Sequence, residues 1–280
     1  MVSYLCHIAS VSRSGYYAWL KAEDQRMIRD ERDWQDYKLI HTIFNRKDQK
    51  AGFRTIQMFL ENHYDVKMNH KKILRLMKEF NLVTKIRRVN PYRKLAKATQ
   101  EHKTMPNLLN RQFHQVEPGK VLLTDITYTY YGGGQSAYLS TVKDVATREI
   151  VAFDISRSLS MDIAYATLNK LIDACDGYPH PEAMLHSDQG FHYTHPEFQK
   201  RVKKAGFQQS MSRRGNCLDN APMESFFGHF KDEVDFKQCK TFEELHGMIS
   251  EYIEEYNTQR YQYGLKKMTP EQYRGHLLAI

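Results

Sequence analysis

From Gly119 the sequence changes character, and that change constrains the fold more than any other feature. Three runs rich in β-branched and aromatic residues follow one another with no helix between them: "KVLLTDITYTYY", "SAYLSTVKDVAT" and "REIVAFDIS". "GGGQ" (132–135) supplies the first turn and "TR" a tight second link, so the three read as an antiparallel meander. The pattern then alternates: helix "MDIAYATLNKLIDAC", strand "AMLHSD", helix "HPEFQKRVKKAG", strand "FQQSMS", and a helix "NAPMESFFGHFKDE" with Asn220 as cap and Pro222 in its first turn. The order βββαβαβα calls for an α/β fold, a mixed five-stranded sheet with flanking helices. In that sheet the first and fourth strands are neighbours.

The segment before it is helical and basic. Residues 30–44 carry Trp34, Tyr37, Ile40 and Phe44 at three- and four-residue steps. Gly52 breaks the pattern, "RTIQMFLENH" restarts it, and Asn69 caps a third helix, "HKKILRLMKEF". There Ile73, Leu76, Met77 and Phe80 face inward and Lys71, Lys72, Arg75 and Lys78 outward, with Asn81 as a left-handed stop. Residues 1–118 hold 23 Lys+Arg against 12 Asp+Glu, whereas 119–280 hold 18 against 21. The whole positive excess therefore lies in the first part, as in a polyanion-binding module joined to something else. Short helices with a basic last member suggest a helix-turn-helix-like DNA-binding domain. Residues 85–97, "KIRRVNPYRKLAK", hold six basic residues and no acid; Pro91 and the lack of periodicity make them a linker suited to phosphates. Lys85, Arg87, Arg88, Arg93 and Lys94 are its candidate DNA contacts, and Arg213 and Arg214 are further ones in the second part. The divisions are an N-terminal helical arm 1–22, a helix-turn-helix-like domain 23–84, a basic linker 85–118, a core 119–236 and a helical extension 237–280.

Several classes are excluded. Cys6, Cys175, Cys217 and Cys239 form no CxxC pair and are too scattered for a disulfide framework. No apolar run approaches the roughly 18–20 residues of a membrane span, and no signal-peptide pattern opens the chain. A cytoplasmic protein with no membrane partner is the expectation.

Three acids stand out by position. Asp125 is embedded in the strand "LLTDIT", where a carboxylate is costly unless paired or holding a metal. Asp188 closes the fourth strand, with Gly190 letting the chain turn, and Glu224 opens the last helix. Three convergent carboxylates repel one another unless cations sit among them. All-oxygen ligation favours Mg²⁺ or Mn²⁺, and two such ions suit phosphodiester chemistry. Asp144, Asp154, Asp162 and Asp219 are also available.

Between Asp188 and Glu224 lie 35 residues, flanked by "LHSDQGFHYTHPEF" and "SMSRRGNCLDNAPMESFFGHFKDE". With "VSRSGYYAW", "GFRTI", "TDITY" and "YIEEYNTQRYQYGLKKMTPEQYR", these words cover nearly the whole chain. They resemble the D,D(35)E signature shared by retroviral integrases and the IS-three family of insertion-sequence transposases. The resemblance implies a ribonuclease H-like DDE core with Asp125, Asp188 and Glu224 as catalytic metal ligands, two Mg²⁺ ions (Mn²⁺ substituting), and strand cleavage followed by strand transfer. It makes Lys231, seven residues after Glu224 and on the same helical face, a contact to phosphate. It implies DNA partners (element ends and target), a homo-oligomer on DNA, and a second-reading-frame product that works with the upstream frame's product, as a frameshift fusion. It places the protein in the bacterial cytoplasm, at the nucleoid when bound to DNA. His192 departs from the glutamine, and Phe53 from the tyrosine, of many relatives. A non-catalytic DNA-binding regulator of transposition and a nuclease that cuts without joining are the alternatives.

Overall fold

The computed structural model describes residues 1–85, 104–177 and 179–279. The chain divides into two compact units, Met1–Ile86 and Arg87–Ile280.

The first unit is helical. Helices α1 (Val2–Ile8) and α2 (Arg13–Lys21) lead into α3 (Glu23–Arg46), α4 (Phe53–Tyr64) and α5 (His70–Glu79). Ser12 caps α2 by accepting from the Gly15 N–H at 3.0 Å. The third helix starts seven residues earlier than its apolar period suggests, with Glu23 and Asp24 complementing its N-terminal dipole. Ile40, Ile43 and Phe44 of α3, Ile56 and Leu60 of α4, and Ile73, Leu76 and Met77 of α5 are buried and form the small core. Asn69 caps α5 by accepting from the Lys71 N–H at 2.9 Å, and Asn81 turns left-handed behind it, as expected. Trp34 differs from expectation: it is exposed, stacked on Tyr37 at 5.2 Å. Two cations of α5 lie on the outer side as expected but carry ion pairs. Lys72 pairs with Asp33 (2.9 Å) and Asp36 (2.5 Å), and Arg75 pairs with Asp33 (2.6 Å). Burial would push the Asp33 carboxyl up, but Lys72 and Arg75 outweigh it and hold it below its ordinary range. Those two side chains tie α5 to α3; Lys71, Arg75 and Lys78 are exposed and Lys72 is half-buried.

The second unit is built on strands β1 (Val121–Tyr131), β2 (Gln135–Asp144), β3 (Ile150–Ser156), β4 (Met184–Ser187) and β5 (Gln208–Met211), in the order β3-β2-β1-β4-β5. The first three form the antiparallel meander, and β4 and β5 add parallel to β1 and to each other. One face carries α6 (Met161–Ala174) and α8 (Pro196–Lys204), whose Leu168, Leu171, Phe198 and Val202 pack on Leu122, Val142 and Leu185. The other carries α9 (Ala221–Glu233) and α10 (Phe242–Thr258), whose Phe226, Phe230, Ile249 and Tyr256 pack on Val121, Leu123 and Leu139. Each such side chain contributes about 1.5–3 kcal/mol on leaving water. The last helix, α11 (Pro270–Leu278), begins at a capping box of Thr269 and Gln272.

Two local expectations are corrected. The β2–β3 link is a five-residue loop rather than "TR", because Asp144 turns inward: its Oδ1 accepts from the Thr147 N–H at 2.9 Å and its Oδ2 from the Gly119 N–H at 2.5 Å. Asn220 makes no side-chain cap bond to α9; the chain enters that helix from a 3-10 turn over Cys217–Asn220, so the backbone is already coiling. The expectations that do hold include the C-terminal helix, whose Tyr252 and Tyr256 pack in the core as their spacing suggests. A short helix, α7 (Phe191–Thr194), also follows β4.

Candidate active site

The site is assembled from strand ends. Side chains alternate along β1, so Asp125 follows Val121 and Leu123 onto the face that α9 covers. Its Oδ1 accepts from the Ile126 N–H at 2.8 Å. The parallel register pairs Val121 with Met184, Leu122 with Leu185 and Leu123 with His186. Two further steps set Asp188, just beyond the end of β4, beside Asp125. The Asp188 Oδ1 accepts from the Gly190 N–H at 2.8 Å, and a Cβ on Gly190 would stand 2.8 Å from that same oxygen. Only glycine lets the carboxylate lie so close to the turn. Beneath the pair is the fully buried Tyr193, whose hydroxyl lies 3.3 Å from the Thr124 Oγ1. Burial, and then the charges of Asp125 and Asp188, push that hydroxyl well above its ordinary range, so it stays protonated.

Glu224 reaches the same face on α9. Met223, Phe226, Phe227 and Phe230 anchor the helix in the core, leaving Glu224 exposed and Lys231 half-buried on the other side. The Lys231 Nζ lies 4.5 Å from the centre of the Tyr128 ring. Among the described residues no three His, Cys, Asp or Glu side chains are grouped so as to hold a metal ion, so the three acids share a corner of the fold without being drawn together. A second charge below α9 escapes a reading based on acids. Lys143 of β2 is only 5% exposed. Its Nζ donates to the Pro222 carbonyl at 3.2 Å and lies 5.7 and 5.8 Å from the Phe226 and Tyr256 rings. A lysine in the middle of the strand word "STVKDV" is the signal that marks it.

The stretch between β5 and α9 is pinned from below. Asp219 is fully buried, and it accepts from the Arg213 guanidinium at 2.9 Å on each oxygen, from the Arg213 N–H at 3.0 Å, from Asn107 at 3.0 Å and from Arg111 at 2.7 Å. Arg213, then burial in the opposite sense, then Arg111 set its acidity, and the net effect is a carboxyl far below its ordinary range. Alongside it, His186 sits between Ser210 (Nδ1, 2.9 Å) and Ser212 (Nε2, 3.1 Å). The Ser210 Oγ already accepts from the Leu108 and Leu109 N–H groups, so its single proton goes to the His186 Nδ1, and the imidazole is neutral. Burial lowers its pKa to about 4.

Other candidates fall apart from this corner. Arg213 is committed to Asp219, whereas Arg214 is exposed. Lys85 is exposed, with its backbone N–H donating to the Gln49 carbonyl at 2.8 Å. Arg87, Arg88, Arg93 and Lys94 lie outside the described residues. His192 is buried, and its Nε2–H donates to the Leu159 carbonyl at 3.2 Å, which gives it a structural place. No helix among the described residues is long and apolar enough to cross a membrane.

The chain is similar to known proteins. The family description "Integrase core domain" matches residues 115–217 and, in a second block, 224–278. "HTH-like domain" matches residues 31–89. The chain is 33% identical over 274 residues to the insertion element IS600 uncharacterized 31 kDa protein of Shigella sonnei, covering 96% of this chain and 97% of that one. It is 32% identical over 240 residues to the transposase for insertion sequence element IS904 of Lactococcus lactis, covering 85% and 92%. It is 25% identical over 284 residues to the transposase InsF for insertion sequence IS3A of Escherichia coli, covering 99% and 95%. Among solved structures, an HTLV-2 integrase catalytic core domain in complex with magnesium superposes with a TM-score of 0.41 at 13% identity, covering 56% of this chain and 96% of that one. The chain belongs to the IS-three family of insertion-sequence transposases, with an HTH-like domain ahead of an integrase core.

Proposed function

We propose that Asp125, Asp188 and Glu224 form the centre at which this transposase cuts the end of its element and joins the exposed 3′-hydroxyl to a second DNA strand. The observation that carries this reading is the register that sets Asp188 beside Asp125 on the sheet face covered by the helix bearing Glu224. The donor set is three carboxylates with no thiol or imidazole, which fits a hard divalent cation, Mg²⁺ or Mn²⁺, held as a pair of ions. Such ions, when bound, neutralise charge and polarise the oxygens of the phosphodiester under attack. The rest falls to the chain. Asp125 within β1 and Asp188 just beyond β4 are each held by a backbone N–H group, and Glu224 is carried on α9 across the same sheet face. Lys231, on the same helical face, takes a phosphate. Tyr193, kept protonated, supports the strand that carries Asp125 without exchanging a proton with it.

In this reading residues 23–84 read DNA and the basic 85–118 segment follows phosphates. The active species is an oligomer on paired ends, working with the upstream frame's product in the cytoplasm. The test is strand transfer by the full-length protein, supplied with the upstream product, in the variants Asp125→Asn, Asp188→Asn and Glu224→Gln. Each is expected to abolish joining and to keep binding of end DNA. Strand transfer retained in any of the three would sink the assignment.

A further inference from the structure

The outer half of β1 is folded inside out. In "TYTYY" the small, polar threonines face the core: Thr127 and Thr129 are 6% and 3% exposed. Two of the three tyrosines face water, Tyr128 and Tyr130 at 46% and 54% exposed, while Tyr131 is buried. The Thr129 hydroxyl is buried with no hydrogen-bond partner. The register is held by Val121, Leu123 and Tyr131, which share the threonines' face and are buried in the core, and it leaves the two rings of Tyr128 and Tyr130 in water.

The exposed face is organised. Tyr138 of β2 stands directly opposite Tyr128 and on the same face, half-buried. The Tyr128 and Tyr130 ring centres are 5.6 Å apart at 70°. β4 pairs with β1 only over Val121–Leu123, so the tyrosines project beyond the four-residue strands β4 and β5. Cations stand at both ends. Lys231 lies 4.5 Å over the Tyr128 ring. At the turn, the Gly132 N–H donates to the Cys239 carbonyl at 2.9 Å, which brings the exposed Lys240 alongside. A Cβ on Gly132 would meet the Lys240 carbonyl at 2.8 Å, so the approach depends on that glycine. Along an extended strand Tyr128 and Tyr130 lie roughly 10 and 17 Å from Asp125 and on the other face of β1, and the contact of Lys231 of α9 with the Tyr128 ring links the two faces around the unpaired edge of the strand.

We propose that Tyr128, Tyr130 and Tyr138 form a stacking platform for unpaired nucleotides of the DNA strand next to the cut, with Lys231 and Lys240 taking its phosphates. Aromatic rings on an open sheet face accept any base, because every base has a π-face, while the flanking ammonium groups follow the backbone. The inference rests on the catalytic reading above for what brings DNA to this corner. The platform would hold a frayed end open so that the scissile phosphate lies at the acids.

The experiment uses full-length protein carrying Asp125→Asn, so that the probe is not cut and binding alone is read. Its probes are a blunt duplex and the same duplex with a three-nucleotide single-stranded overhang containing 2-aminopurine. The platform predicts tighter binding of the overhang probe and quenched 2-aminopurine fluorescence. Tyr128→Ala with Tyr130→Ala is expected to lower affinity for the overhang probe by about tenfold or more, leaving blunt-duplex affinity unchanged. Tyr128→Phe with Tyr130→Phe is expected to retain both the preference and the quenching. Blunt-duplex affinity reports folding, and the single Tyr128→Ala variant serves if the double one unfolds. Loss of the preference in the Phe variant, equal loss on both probes, or an unchanged overhang preference in the Ala variants overturns the proposal. Failure of the catalytic reading is seen separately, as strand transfer retained by Asp125→Asn.

Discussion

Asp219 and Glu224 lie five residues apart and have opposite surroundings. Asp219 is wholly out of water, its charge answered by two guanidinium groups and a side-chain amide. Glu224 stands exposed on α9, on the side of the helix turned away from its phenylalanines. Net charge and spacing treat the two alike. What separates them is burial: Asp219 is enclosed and Glu224 is exposed. Asp219 has lost its water to a fixed set of donors, whereas Glu224 keeps its exposure on the sheet face that also carries Asp125. The stretch "RRGNCLDNAPMES" is therefore an anchor followed by the acid proposed above as a metal ligand.

Substitution separates the two most sharply. Glu224→Gln is expected to lower DNA cleavage by at least about 100-fold with an unchanged melting temperature. Asp219→Asn removes the buried anion that the partly exposed guanidinium groups of Arg213 and Arg111 converge on, and is expected to lower the melting temperature clearly. Denaturation and cleavage assays on both variants check this, and a large stability loss in Glu224→Gln would erase the distinction.

The next effect concerns the neighbour of Asp219. The folded pKa of His186, about 4, lies below its ordinary 6.5. The imidazole therefore contributes stability that is fully present above pH 6.5 and is lost as pH falls toward 4. The loss amounts to up to about 3 kcal/mol. Unfolding followed between those limits should show this slope in the native chain and a flatter one in His186→Asn. The smallest effect concerns Lys143. Among the described residues no carboxylate pairs with it, so Lys143→Met, which keeps the packed stem, is expected to hold stability within about 1 kcal/mol of the native chain. A loss well beyond that in a thermal melt would show that the ammonium anchors α9 as firmly as Asp219 anchors the loop before it.

Much of this was legible in the sequence because the signals are local or periodic. The βββαβαβα order, the place of Asp125 within an apolar strand and the phenylalanine stripe of α9 each follow from spacing and residue type. The fates of cations were not legible. Lys72, Arg75 and Arg213 read as surface charges, and each is bound to an acid: Asp33 and Asp36 lie about forty residues upstream of α5, and Asp219 only six residues on from Arg213, across a turn. The Asn220 cap failed because a 3-10 turn runs into α9. The inside-out face of β1 was hidden for another reason. Thr and Tyr both favour strands and both carry a hydroxyl, so "TYTYY" alternates without saying which set is buried.

The central claim is that Asp125, Asp188 and Glu224 act together as one cation site. It is tested most directly by titrating Mn²⁺ into the full-length protein with bound end DNA, followed by electron paramagnetic resonance, for the native chain and for Asp125→Asn, Asp188→Asn and Glu224→Gln. The account predicts saturable Mn²⁺ binding that weakens by at least about tenfold in each variant. Equal Mn²⁺ affinity in all four proteins would contradict it.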